Sequence, residues 1–169
     1  CQVIGADIDL DKIALAKKLG ANETCHSSEL LSKANEFSNG NGVDAVIITA
    51  SASSNQLVYD AGEISRKKGR VVIVGLVGMD IPRDSYYKKE LDLRMSMSYG
   101  PGRYDSEYEE KGHDYPYHYV RWTEQRNFES FLDLVAEGKV TPKELITHTF
   151  DFDNAMNAYD LLEGKIQEK

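Results

Sequence analysis

Cysteine is nearly absent from this chain: Cys1 and Cys25 are the only two among 169 residues. Two thiols make no disulfide framework, so a reducing, cytoplasmic setting is expected. No apolar run approaches the roughly 18 residues a membrane-spanning helix needs. Nothing at the start reads as a signal peptide. Positive charge is scarce too. Twenty Lys and Arg face 28 Asp and Glu, a formal net charge of -8. That balance argues against a nucleic-acid partner or an anionic membrane surface. The chain also opens without methionine, on a cysteine that precedes an apolar strand. A glycine-rich loop running from a strand into a helix is nowhere to be found. The one spacing that imitates it, Gly40-Asn41-Gly42-Val43-Asp44-Ala45, follows a helical pattern and opens a strand. A phosphate loop needs the reverse order, so that a helix N-terminus faces the phosphate.

What is present is a parallel α/β pattern. Val3–Asp9 reads as an apolar strand ending on Asp7 and running into a helix over residues 10–19. In a doubly wound sheet, ligands bind beyond the carboxyl ends of the strands, and an acid at the end of the second strand can accept both ribose hydroxyls. Asp7 is in that place. Its charge would repel a 2′-phosphate, so NAD is expected rather than NADP. Asp9 suits the helix N-cap, and Lys12 in the first turn could reach the same ribose. Thr24–His26 reads as a short strand. Leu30, Ala34 and Phe37 repeat at helical spacing, with Ser27 or Ser28 as cap.

Val43–Ile48 is almost continuously apolar, as for a strand covered on both faces. Thr49, Ala50 and Ser51 would sit at its carboxyl end, where an adenine could lie. Leu57, Ala61 and Ile64 mark a helix, after which Arg66, Lys67 and Lys68 would favour its C-terminal dipole. Arg70–Val74 reads as another buried strand, with Gly75 at its tip permitting close backbone approach to a ligand, or a plain turn. Leu91–Tyr99 alternates cleanly, which predicts a strand with one buried face near a sheet edge.

From Gly100 the composition shifts. Residues 99–122 form a polar, tyrosine-rich loop holding Tyr104, Tyr108, Tyr115, Tyr117 and Tyr119. A loop that long is usually functional or an interface. His113 and His118 have no ligand cluster of recognised spacing around them. Beyond it, Phe128, Phe131, Leu132 and Val135 predict a helix that Gly138 ends. Thr141–Glu144 has the form of a capping box. Leu145–Phe150 reads as a short strand, and Asp153 as cap of a last helix closed by Gly164.

This ordered set resembles the nucleotide-binding domain of the zinc-type medium-chain alcohol and polyol dehydrogenases. Ala16-Lys17-Lys18-Leu19-Gly20-Ala21 looks like the family's first helix end. Lys88-Lys89-Glu90-Leu91 looks like the approach to its sixth strand. Leu145-Ile146-Thr147-His148, with Phe152 through Gly164, looks like its return segment towards a catalytic domain. The tyrosine-rich loop with Arg121-Trp122-Thr123-Glu124 is similar to a bacterial branch often joined to a second, sugar-type oxidoreductase module.

The resemblance implies a doubly wound, mostly parallel Rossmann sheet without its first strand and Gly-rich loop, in a fragment of a longer protein. It implies a partial NAD-binding domain over 1–144 and the return segment over 145–169. Asp7 and Lys12 would hold the adenosine ribose, and Thr49, Ala50 and Ser51 would line the adenine. Val74, Gly75 and Leu76 would approach the nicotinamide ribose. Ser98, between Met97 and Tyr99, would flank the carboxamide. Zinc and every catalytic residue would belong to a domain outside this chain. The parent would act on a small alcohol, polyol or sugar and form a homo-oligomer, and the chain alone would be inactive. A methyltransferase-like Rossmann half and a non-catalytic nucleotide-binding module are the alternatives. A sheet short of one strand also leaves an open edge, which predicts pairing with another chain or marginal stability.

Overall fold

The computed structural model describes residues 1–166, which fall into two compact units, 1–100 and 101–166. The first is a parallel α/β unit of Rossmann type. Its strands are β1 (Ile4–Asp7), β2 (Glu23–His26), β3 (Val43–Ile48), β4 (Ser65–Ile73) and β5 (Asp92–Met95). Between them run α1 (Leu10–Lys18), α2 (Leu30–Phe37), α3 (Gln56–Ile64) and α4 (Arg83–Lys89). Every strand pair is parallel. The sheet comes in two hydrogen-bonded pieces, β1-β2 and β3-β4-β5. Among the described residues, β1 and β3 are therefore each paired along one edge only.

Local chemistry sets these elements. Asp9 caps α1 as expected, its carboxylate accepting the Asp11 N–H at 2.8 Å. Lys17 and Lys18 occupy the last turn, where the helix dipole favours cations. The segment before α2 corrects the serine-cap expectation. Ser27–Glu29 forms a 3₁₀ turn, capped by the His26 ring accepting the Ser28 N–H. Gly42 has φ 83°, and a Cβ there would lie 2.5 Å from the Arg66 nitrogen. Its glycine serves the entry to β4, which accounts for the false phosphate-loop spacing.

The core lies between α3, α4 and one face of the three-stranded sheet. Val58, Val71 and Ile73 are fully buried, with Ile48, Ala61 and Val77 beside them. Each large aliphatic residue so removed from water contributes about 1.5–3 kcal/mol. The Tyr86 hydroxyl donates to the Val58 carbonyl at 2.9 Å, and burial pushes its pKa up. Lys89 Nζ donates to the Gly62 and Glu63 carbonyls at the end of α3, 2.7 Å each.

Two strand boundaries differ from the sequence pattern. Arg66, Lys67 and Lys68 lie in the first half of strand β4 and not at a helix end. Ser65 already pairs with Val43, and the register then shifts to Ala45–Arg70. Arg66 pairs with Asp44 at 2.6 Å, and Lys68 with Glu90. β5 stops at Met95, and Ser98 turns the chain with φ 41°. Leu93 is half-buried, but Met95 and Met97 are exposed, so the alternating run is not one buried face. β5 does lie at the sheet edge, as expected.

The second unit contains α5 (Ser106–Glu109), α6 (Glu124–Ala136) and α7 (Ala155–Leu162). Gly138 and Gly164 follow α6 and α7 with φ 70°, the left-handed stop expected of them. Three expectations fail here. Leu145–Phe150 pairs with no strand among the described residues. Thr141 and Asp153 cap nothing, because 3₁₀ turns over Pro142–Leu145 and Phe152–Asn154 replace the α-helical starts. Among the described residues of this unit only Gly102 and Thr123 are buried. No helix of the described residues is long and apolar enough to cross a membrane.

Candidate functional site

Asp7 ends β1, directly opposite His26 at the end of β2. Its Oδ1 accepts the N–H of Ile8 at 2.7 Å and of Asp9 at 3.0 Å. Two backbone donors thus fix the carboxylate plane. The side chain is otherwise exposed. Lys12 is exposed on the first turn of α1, one turn beyond the Asp9 cap. His26 was not legible as a neighbour of Asp7; only the parallel pairing puts it there.

Thr49, Ala50 and Ser51 leave the end of β3, and Val74, Gly75 and Leu76 leave the end of β4. The structure brings these two sets together. The N–H groups of Val74 and Gly75 both donate to the Ile48 carbonyl, at 2.9 and 3.0 Å. The Ala52 N–H donates to Leu76 at 2.9 Å, and Ala52 and Val77 form a further parallel bridge. Gly75 is explained by this closeness. A Cβ on it would stand 2.7 Å from the Ala50 carbonyl carbon and 2.9 Å from that of Thr49. A neighbouring backbone demands the glycine before any ligand does.

Ser98 lies exposed in the turn after β5, and the strand itself is tied to β4 by the Ser96 N–H donating to Ile73 at 2.8 Å. Asp7 and Lys12 belong to the other hydrogen-bonded piece of sheet, so no backbone hydrogen bond of the sheets joins them to these loops. Two further residues shape the loop mouths. Asn55 Oδ1 accepts the Asp80 N–H at 3.1 Å, and Ser54 Oγ accepts the Gln56 N–H at 3.0 Å. The Ser-Ser-Asn run before α3 carried that signal, since such residues favour helix starts and turns.

Carboxyl ends of parallel strands, with an acid on the first of them, are where open α/β sheets bind their ligands. Residues 1–112 match the family model described as zinc-binding dehydrogenase. The chain belongs to the zinc-binding dehydrogenase family. The chain is 30% identical over 166 residues to D-xylulose reductase A of Aspergillus oryzae, covering 94% of this chain and 39% of the relative. It is 27% identical to sorbitol dehydrogenase 1 of Saccharomyces cerevisiae, with 94% and 40% covered. It therefore spans about two fifths of the length of the curated relatives it matches.

The fold of this zinc-binding dehydrogenase chain is shared with solved structures. A short chain alcohol dehydrogenase from E. coli, solved with NADH, superposes with a TM-score of 0.68 at 22% identity, over 96% of this chain and 41% of that one. The 2R,3R-butanediol dehydrogenase of Bacillus subtilis gives 0.68 at 18% identity, over 97% and 41%. Among the described residues, no group of three or more His, Cys, Asp or Glu is placed to hold a metal ion.

Proposed function

We propose that this chain is the cofactor-binding part of an NAD-dependent dehydrogenase whose substrate is a small alcohol, polyol or sugar derivative. The observation that carries the reading is Asp7, an exposed strand-end carboxylate with Oδ1 held by two backbone N–H groups. A ribose diol presents two donors to such an acceptor. The same charge disfavours a 2′-phosphate, hence NAD over NADP. The relatives with polyol and alcohol names, and the neighbour solved with NADH, support the same assignment.

In this reading Lys12 assists at the ribose, Thr49, Ala50 and Ser51 line the adenine, and Val74, Gly75 and Leu76 border the nicotinamide ribose. Ser98 flanks the carboxamide from the turn after β5. The nicotinamide supplies hydride transfer, and the chain's residues bind and orient it. Residues 1–144 serve as a partial NAD-binding domain and 145–169 as the return towards a catalytic domain. Zinc, the catalytic residues and the strand that would pair with the open edges of β1 and β3 belong to the longer protein, a cytoplasmic homo-oligomer. The isolated chain is inactive.

The test uses the longer protein and this chain side by side. NAD should raise the melting temperature of the longer protein, as any ligand of the folded state does, while S-adenosylmethionine should not. NADH formation on a panel of polyols and sugars should appear with the longer protein alone. Turnover by the isolated chain would overturn the placement of the chemistry.

A further inference from the structure

We propose, resting on the cofactor reading above, that His26 is a second specificity-determining residue of that site. Its Nε2–H donates to the ribose 2′-hydroxyl whose own proton goes to Asp7. Asp7 and His26 are register partners and the last residues of β1 and β2. Paired residues of neighbouring parallel strands project to the same face, and such strands lie about 4.8 Å apart. The face in question is the one α1 covers. A Cβ on Gly5 would lie 3.6 Å from the Ala16 Cβ and 3.8 Å from Thr24 Cγ2. Gly5 and Thr24 therefore turn towards α1. Two residues on, Asp7 and His26 turn the same way, at the end where α1 begins. Cys25, between Thr24 and His26, faces the opposite way and is buried.

Two contacts hold the His26 ring. Nδ1 accepts the Ser28 N–H at 3.3 Å and lies 2.8 Å from Ser28 Oγ, which makes the ring the cap of the 3₁₀ turn Ser27–Glu29. With Nδ1 accepting, the ring proton sits on Nε2. Among the described residues Nε2 donates to nothing. The side chain is half-buried. Capping the turn accounts for Nδ1 and leaves the opposite nitrogen unemployed.

The pair offers one acceptor and one donor on neighbouring strand ends, and that combination selects its partner. A phosphate brings no proton for Asp7 and meets its charge. An ammonium has no lone pair for Nε2–H. A hydroxyl satisfies both: its hydrogen goes to the carboxylate, and its oxygen accepts Nε2–H. In dinucleotide-binding sheets the strand-end acid takes the ribose 2′-hydroxyl, so that oxygen is the one His26 addresses. Asp7 turns away a dinucleotide with a phosphate at this position. His26 adds a preference for one that carries a hydroxyl there over one that carries none.

His26→Asn separates the roles of the two nitrogens. Asparagine is a good N-cap and keeps an acceptor for the Ser28 N–H, but it has no donor where Nε2 stood. The longer protein and this variant are titrated calorimetrically with NAD and with its 2′-deoxyadenosine analogue. The variant should bind NAD about fivefold more weakly, the worth of one hydrogen bond. It should bind the 2′-deoxy analogue as the parent does, and melt near the parent temperature without ligand. Equal weakening for both dinucleotides sinks the proposal. Unchanged NAD affinity sinks it too, while leaving the cofactor reading intact. Failure of NAD to bind the unsubstituted protein defeats that reading and this one together. Should the variant melt well below the parent, imidazole nitrogen NMR on the unsubstituted protein decides. The His26 Nε2 resonance should move on addition of NAD and much less on addition of the analogue. A resonance that ignores NAD, or answers both alike, removes His26 from the site.

Discussion

The Cβ of any side chain at Gly75 would lie 2.7 Å from the carbonyl carbon of Ala50. The two loops at the carboxyl ends of β3 and β4 thus touch backbone to backbone. Gly75→Ala should destabilise the chain by about 1–3 kcal/mol, the usual range for forcing extra volume into a packed site. Urea denaturation followed by far-UV circular dichroism measures it. Unchanged stability would show that the loops can part freely.

Asp7 carries the cofactor assignment. Asp7→Ser should weaken NAD binding to the longer protein about tenfold, the loss expected for one hydrogen-bonded charge. NADP should lose much less, or gain, because the repulsion of its 2′-phosphate is gone. Isothermal titration with both dinucleotides gives the ratio. Equal losses for the two would remove Asp7 from the ribose.

Tyr108 stands in for a helix cap. Its hydroxyl oxygen accepts the Gln125 N–H at 2.9 Å, while Thr123, the residue in cap position, makes no such bond. Tyr108→Phe keeps the ring stacked on Tyr115, 5.5 Å between centroids, and leaves that N–H without its acceptor. A loss of about 1 kcal/mol is expected. Hydrogen exchange at the Gln125 amide should quicken, and Thr123→Ala should leave it unchanged.

Asp105 and Tyr115 give the loop a pH signature. The Tyr115 hydroxyl donates to Asp105, which holds that carboxyl below the ordinary aspartate range, with the Glu107 N–H adding to the effect. The same bond raises the Tyr115 hydroxyl above its ordinary value. A depressed carboxyl contributes stability above its unfolded pKa, near 3.9, and loses it as pH falls through the folded one. A raised phenol contributes below about 10 and loses it as pH rises through its folded value. The interaction is therefore full between those limits. Melting temperatures of the chain and of Tyr115→Phe should converge at both pH extremes and differ most near neutrality.

Much of the first unit could be read from residue order. Apolar runs gave Val43–Ile48 and Arg70–Val74 away as parallel strands, and Asp9 announced its helix, but the expected cover on both faces fails for β3, where Ile47 is 65% exposed and only Ile48 is buried. The errors share a cause. Ser65 joins β4 through pairing with Val43, 22 positions away, and no local pattern encodes that partner. Leu145–Phe150 has strand-like residues but pairs with no neighbour among the described residues. Leu91–Tyr99 alternates beyond the point where Ser98 turns. The candidate site was legible as strand ends, because Asp7, Thr49 and Val74 all follow apolar runs. The contact of Gly75 with Ala50, the placing of His26 beside Asp7 and the Tyr108 cap were not, since each depends on segments meeting across the fold.

One consequence of the divided sheet concerns how the first unit opens. Four paired positions join β1 to β2, and the fully buried Val71 and Ile73 belong to the other piece. Opening free energy follows buried apolar contact and protected backbone bonds. Amide deuteration should therefore sweep through Ile4–Asp7 and Glu23–His26 while Val71–Ile73 still retain protium. Asp7, the acid proposed to hold a ribose, rides on the more readily melted piece, so occupancy by a dinucleotide would slow exchange there first.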